Sequence, residues 1–443
     1  MTFDRVLPEL IRACLADSTF HSIARYCVVR DVRGRVRLVV EEGSPKPNLD
    51  ALRKTLESIL GAYFVGPILS TTESGETKRL SNKILELAKG KWPAGWPRDI
   101  QNALGLPTPL DVQNVWTGID RTIGKEAWLT VSPPKAAWPL VGNNPPIVTF
   151  HSFKGGVGRT TMVAAYAMFL ASRKAPLRIA LVDLDLEAPG LGALFDVSTR
   201  RGVIDILVDH IATGKVNLDD ASSNAVVDPT VDSRITVFPA GVVHDTYIQK
   251  LARLDFSSTE PGGDNPVSVA LTDMLKAMKQ RFDVVVLDSR AGLHDLAGLS
   301  LHGLAHVDVL VFRGTTQNMN GLAQTLRTLG SRETALVLVE TLLPSNDHEL
   351  LKLRKERTRE QVYAMMCEHI YEETEPPQLG DIGEPHDVVS VRRVEWLDGI
   401  DSLKGRVSAV LNDPALKEVA RRIDEACGLA PGTSDQKGDE DDQ

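Results

Sequence analysis

The residues whose types and spacing could do chemistry lie in one run, Ser152-Phe153-Lys154-Gly155-Gly156-Val157-Gly158-Arg159-Thr160-Thr161. Three glycines in close succession free backbone N–H groups to turn toward an anion, and a helix that starts just after them adds its positive end. Thr160 falls where a hydroxyl would reach a Mg²⁺ ion accompanying phosphate. Such a loop must be held on both sides. The apolar run Ile147 to His151 supplies a strand before it, and MVAAYAMFLASRK supplies a helix after it. Strand, glycine turn and helix N-terminus together make a phosphate cradle.

The same rhythm continues along the chain. Apolar runs alternate with helical patterns: IVTFH, then 160 to 173, RIALVDL, 203 to 213, RITVFPAG, 266 to 280, FDVVVLD, 295 to 305, VDVLVF, 317 to 329 and TALVLVE. Alternation of this kind predicts an α/β fold, a mostly parallel sheet covered by helices, over residues 147–430. Upstream, Ser22 to Arg30 and Arg35 to Val40 read as strands joined around Gly34. Leu49, Leu52, Leu56, Ile59 and Leu60 recur at helical spacing, and Phe64 to Leu69 is strand-like. Residues 1–131 therefore form a small α+β domain of ββαβ type. The five-proline stretch SPPKAAWPLVGNNPP, residues 132–146, is the expected linker. Residues 431–443 are an acidic tail with nothing to bury. Trp92, Trp96, Trp116, Trp128 and Trp138 are expected in the core or against the linker.

The chain has 443 residues, 42% hydrophobic and 25% charged, enough for two or three soluble domains. No apolar run is long enough for a membrane span. Cys14, Cys27, Cys367 and Cys427 lack CxxC spacing, and the first residues lack a secretory pattern, so a reducing cytoplasm is expected. A net charge of −9 and the acidic tail speak against an anionic membrane surface as partner.

KGGVGRTT resembles the deviant Walker A motif of the ParA/MinD superfamily of P-loop ATPases, the SIMIBI class, in a KGGVGR variant, and the resemblance extends over roughly Ile147 to Leu429. VDLDLEAPG resembles the family's switch I, FPAG its strand-end motif, and FDVVVLDSRAG its Walker B and switch II segment. The resemblance implies that Lys154, Gly155, Gly156, Val157, Gly158, Arg159, Thr160 and Thr161 bind ATP. It implies that Asp185 orients the attacking water, and that Thr160 and Asp288 hold Mg²⁺ with Asp183 beside them. Lys154, Asp185 and Arg159 are the implied catalytic residues, with Lys154 reaching across a nucleotide-dependent homodimer. Two positions depart from the pattern: Arg159 stands where the family has lysine, and Arg290 where it has proline. The guanidinium is bulkier than an ammonium and donates in a fixed plane, so slow hydrolysis is expected. Glu340-Thr341 stands where the family commonly has an asparagine for the base.

The implied activity is an ATP-dependent dimerising switch that works with proteins of its own operon, in DNA partition or positioning or in a multi-gene defence system. The alternative is a non-hydrolysing nucleotide-bound scaffold or regulatory interaction protein. DNA is a further candidate partner. Lys352, Arg354, Lys355, Arg357 and Arg359 lie on an expected helix interleaved with Glu349, Glu356 and Glu360, and Arg33, Arg35 and Arg37 are expected along one strand face, opposite Val36, Leu38 and Val40.

Overall fold

The computed structural model describes residues 1–89, 96, 101, 116–121, 128, 144–254, 256, 265–301, 303–330, 335–343, 348–371, 376–394 and 401–429. The expected linker up to residue 143, Trp92, Trp138 and the acidic tail lie outside them. The chain divides into two compact units, one before and one after Ser132.

The first unit contains α1 (Phe3–Ala16), β1 (Ile23–Arg30), β2 (Val36–Glu42), α2 (Leu49–Leu60), β3 (Leu69–Ser70), α3 (Glu76–Leu87) and β4 (Trp116–Asp120). Its sheet has the order β3-β2-β1-β4. β1 and β2 are antiparallel, while β4 runs parallel to β1 and β3 parallel to β2. β2 is buried on one face and at Val39 on the other. Val36, Leu38 and Val40 join the core under α1 and α2, and Val39 packs with Cys27, Leu69 and Leu85 on the other side. Trp116 stacks on Tyr26 with ring centroids 4.2 Å apart, and Trp96 is buried beside Arg30.

Two segments of this unit differ from the sequence expectation. The strand expected over Phe64 to Leu69 pairs only at Leu69–Ser70, with a lone bridge from Phe64 to Val36. Gly66 and Pro67 interrupt the run, and proline has no N–H for a ladder. The arginine row also fails, because β2 begins at Val36. Arg33 and Arg35 lie in a turn whose Asp31 carboxylate accepts both their backbone N–H groups, at 2.9 and 3.0 Å.

The second unit contains β5 (Ile147–His151), α4 (Arg159–Ala171), β6 (Ile179–Asp183), α5 (Val203–Thr213), β7 (Ser223–Asn224), β8 (Ile235–Phe238) and α6 (Pro266–Lys279). It continues with β9 (Val284–Asp288), β10 (Val307–Phe312), α7 (Thr316–Leu329), β11 (Ala335–Leu343), α8 (His348–His369), β12 (Val389–Arg392) and α9 (Pro414–Ala426). The sheet order is β12-β11-β10-β5-β9-β6-β8-β7, parallel throughout except for the β7–β8 pair.

Alternate residues of β5, β6 and β9 enter two different cores, which is why these strands read as unbroken apolar runs. Val148, Phe150, Leu181 and Val286 pack with α4 and α9. Ile147, Val182, Val285 and Leu287 pack with α5 and α6. β5 lies centrally, between β10 and β9, so the glycine loop leaves the middle of the sheet at its carboxyl edge. Open α/β sheets bind ligands at that edge.

Candidate nucleotide site

The loop after β5 turns through glycines where only glycine is comfortable. Gly156 has φ 71° and Gly158 has φ 81°, a region in which a side chain costs roughly 1–2 kcal/mol. A Cβ placed on either glycine would meet nothing within 4 Å, so the demand is conformational and the space before the loop is open. Gly158 caps α4, so the helix begins at Arg159 and Thr160. Two contacts moor the loop from outside. Thr341 Oγ1 near the end of β11 shares its one proton between the Val157 carbonyl at 2.5 Å and the Phe312 carbonyl at 3.2 Å. Phe153 packs over Gly321 of α7, where even a methyl group would fall 1.9 Å from the ring.

Parallel register brings the acidic strand ends together: Asp183 of β6 is opposite Asp288 of β9, and Asp288 is opposite Phe150 of β5. Arg159 spans two of the carboxylates. Its Nε donates to Asp288 Oδ1 at 2.5 Å and its Nη2 to Asp185 Oδ2 at 3.0 Å. Thr160 Oγ1 donates to the other Asp288 oxygen at 2.8 Å. Arg159 and Asp185 are each 8% exposed and Asp288 is 1% exposed. Burial opposes the charge on Arg159, but Asp288 and Asp185 outweigh it and hold the guanidinium above its ordinary pKa. Burial pushes the Asp288 carboxyl up, and Arg159 and Thr160 pull against that.

Asp183 is engaged differently. Its oxygens accept the backbone N–H groups of Asp185 at 3.1 Å, and of Gly190 and Leu191 at 3.0 Å each, tying down the loop after β6. Burial, with Asp288 alongside, pushes its carboxyl up to about 7. Lys154 is exposed, and its Nζ donates to Gln317 Oε1 at 2.7 Å. Gly155 is likewise exposed, with no atom within 4 Å of a Cβ built on it, and Thr161 is half-buried in the first turn of α4.

The donor set fits Mg²⁺: two hard oxygen donors, Thr160 Oγ1 and Asp288 Oδ2, converge beside a phosphate-type loop. Among the described residues no group of three or more His, Cys, Asp or Glu could hold a metal alone. An ion here would complete its shell with water, and with phosphate oxygens when nucleotide is bound.

Residues that the motifs did not single out complete the surroundings. Glu187, in the loop after β6, pairs with Arg290 and lies 3.3 Å from His294, so the loops after β6 and β9 are bridged. Gln317 carries no motif of its own, and Thr341, expected only at the position of a base contact, holds the loop instead. Gly321, a lone glycine inside a helical pattern, was the readable signal of a close approach. Glu340 is buried and accepts the Gly314 N–H at 3.1 Å and the Thr358 hydroxyl at 3.3 Å. Of the basic residues on α8, Arg354 lies 3.5 Å from Glu340.

Residues 146–337 match a protein family described as AAA domain. The matched stretch holds the glycine loop and the acidic ends of β6 and β9, which is consistent with the ParA/MinD-type resemblance. No curated protein matches the chain in sequence. Solved structures similar to part of it include a plasmid partition protein from Borrelia burgdorferi, 15% identical over 63% of this chain and 99% of that one, with a TM-score of 0.41. A McdA variant from Cyanothece in complex with ATP is 15% identical over 65% and 98%, TM-score 0.42. The septum site-determining protein MinD from Pyrococcus horikoshii OT3, complexed with Mg-ADP, is 19% identical over 47% and 76%, TM-score 0.35.

Proposed function

We propose that the chain is a nucleoside-triphosphate-dependent switch, with ATP and Mg²⁺ as its ligands, that hydrolyses slowly and associates into a homodimer when loaded. The carrying observation is that the glycine loop, Thr160, Asp288 and Asp185 meet at one point of the sheet edge. Bound Mg²⁺ would neutralise phosphate charge, with Thr160 and Asp288 as its protein contacts. The loop from Gly155 to Thr161 binds the phosphates through backbone N–H groups and the start of α4. Asp185 holds the attacking water. Arg159 contributes positive charge beside the reacting centre, which phosphoryl transfer needs more than covalent chemistry.

Lys154 is exposed, with its ammonium on Gln317, which suits a group completing the site of a second copy. Process and partners follow from the resemblance alone: DNA partition or positioning, or a defence system, with proteins of the same operon and with DNA as a further partner, in the cytoplasm. In the second reading, a non-hydrolysing scaffold, Arg159 stays on its carboxylates with nucleotide bound. Equilibrium binding of ATP·Mg²⁺ beside steady turnover tests both. Binding with slow turnover is expected; absence of binding refutes the switch, and binding without turnover gives the scaffold.

A further inference from the structure

We propose that Arg159, anchored on Asp185, is an internal counter-cation competing with the divalent ion for Asp288, so that metal binds only when nucleotide phosphates draw the guanidinium away. This rests on the nucleotide-site reading above.

The geometry is that of an occupied cation position. One guanidinium bridges Asp288 at the end of β9 and Asp185 in the loop after β6, 129 and 26 residues distant in sequence, through bonds of 2.5 and 3.0 Å, in a nearly water-free setting. Thr160 takes the remaining Asp288 oxygen. Asp183 offers no relief, because its oxygens hold the loop after β6 through three backbone N–H groups. A divalent ion arriving at Thr160 and Asp288 would share one carboxylate with a cation already in contact, and at such separations in a poorly screened site that repulsion costs at least tenfold in affinity.

The side chain itself matters. A planar fork can hold two carboxylates at once, whereas an ammonium is a single point charge that does so less well. Triphosphate provides alternative acceptors for the fork within the loop that leads into Arg159. Its arrival therefore both removes the competitor and brings oxygen ligands for the ion. The arrangement makes metal loading conditional on nucleotide and leaves the empty protein insensitive to the metal.

Mn²⁺, a paramagnetic stand-in for Mg²⁺, gives the test on the nucleotide-free full chain by electron paramagnetic resonance. Wild type should leave millimolar Mn²⁺ free. Arg159→Gln, which keeps donors but not charge, should bind it at least ~10-fold more tightly, Arg159→Lys should fall between, and adding Asp288→Asn to Arg159→Gln should abolish binding. Equal affinity in wild type and Arg159→Gln, or no binding by either, overturns the proposal. Melting curves show whether Arg159→Gln is folded; if it is not, the comparison of wild type with Arg159→Lys decides by the same criterion. Nucleotide binding by wild type is measured separately: its failure would refute the switch, while the Mn²⁺ result stands on nucleotide-free protein.

Discussion

At the scale of single residues, the site separates carboxylates by what they touch. Asp288 receives Thr160 and Arg159, so its loss removes a ligand-facing oxygen pair; Asp185 stands one step further out, held by Arg159. Asp185→Ala is expected to slow hydrolysis roughly 10²-fold or more while changing nucleotide affinity little, since orienting water matters in the transition state. Asp288→Ala should instead weaken Mg²⁺-dependent binding. Identical affinity and turnover profiles for the two would contradict this division. His151, buried at the end of β5, is a second residue with a readable consequence. Burial, with Arg159 near, lowers its pKa to about 3, so the folded protein keeps it neutral while the unfolded chain takes a proton near pH 6.5. Its contribution is fully present above pH 6.5 and falls by about 1.4 kcal/mol per pH unit toward pH 3. Urea unfolding of wild type and His151→Asn across that range checks the sign: the variant should have the flatter acid limb.

At the scale of elements, the phosphate loop depends on neighbours as much as on its own glycines. Phe153 sits on Gly321 of α7, and the clash in Gly321→Ala would involve the root of the ring, including Phe153 Cβ at 2.5 Å, which cannot swing aside. That substitution is expected to cost roughly 1–3 kcal/mol and to weaken nucleotide binding more than the melting temperature suggests, because Phe153 immediately precedes Lys154. Calorimetric titration beside a thermal melt separates the two effects. The same elements show what the sequence disclosed. β5, β6, β8, β9, β10 and β11 were legible because each is a buried apolar run, and α4 to α7 because glycine, asparagine or apolar periodicity marks them. β12 was not, since its four residues VSVR lack a run long enough to stand out, and β7 has only two. At the site, motif order disclosed Thr160, Asp185 and Asp288, while the bridge from Arg159 to both acids depended on tertiary register. The Thr341 bond to Val157, across 184 positions, had no local signal at all.

At the scale of the whole molecule, among the described residues the two cores of the large sheet contain buried residues from Ile147 onward, and the buried residues of the two cores of the smaller sheet lie between Val6 and Trp116. A chain of residues 133–430 should accordingly melt cooperatively and bind nucleotide as the full chain does. Loss of cooperative melting in that fragment would show that its stability depends on the first unit.

In the proposed function, nucleotide makes two copies complete one another's sites through Lys154. Sedimentation velocity with a slowly hydrolysed ATP analogue and Mg²⁺ tests it most directly, comparing wild type with Lys154→Ala at matched nucleotide occupancy. The account predicts a monomer without nucleotide, a dimer of wild type with it, and a Lys154→Ala protein that binds nucleotide yet stays monomeric or dimerises at least ~10-fold more weakly. A wild-type mass unchanged by the analogue, or equal dimerisation of the two proteins, would contradict it.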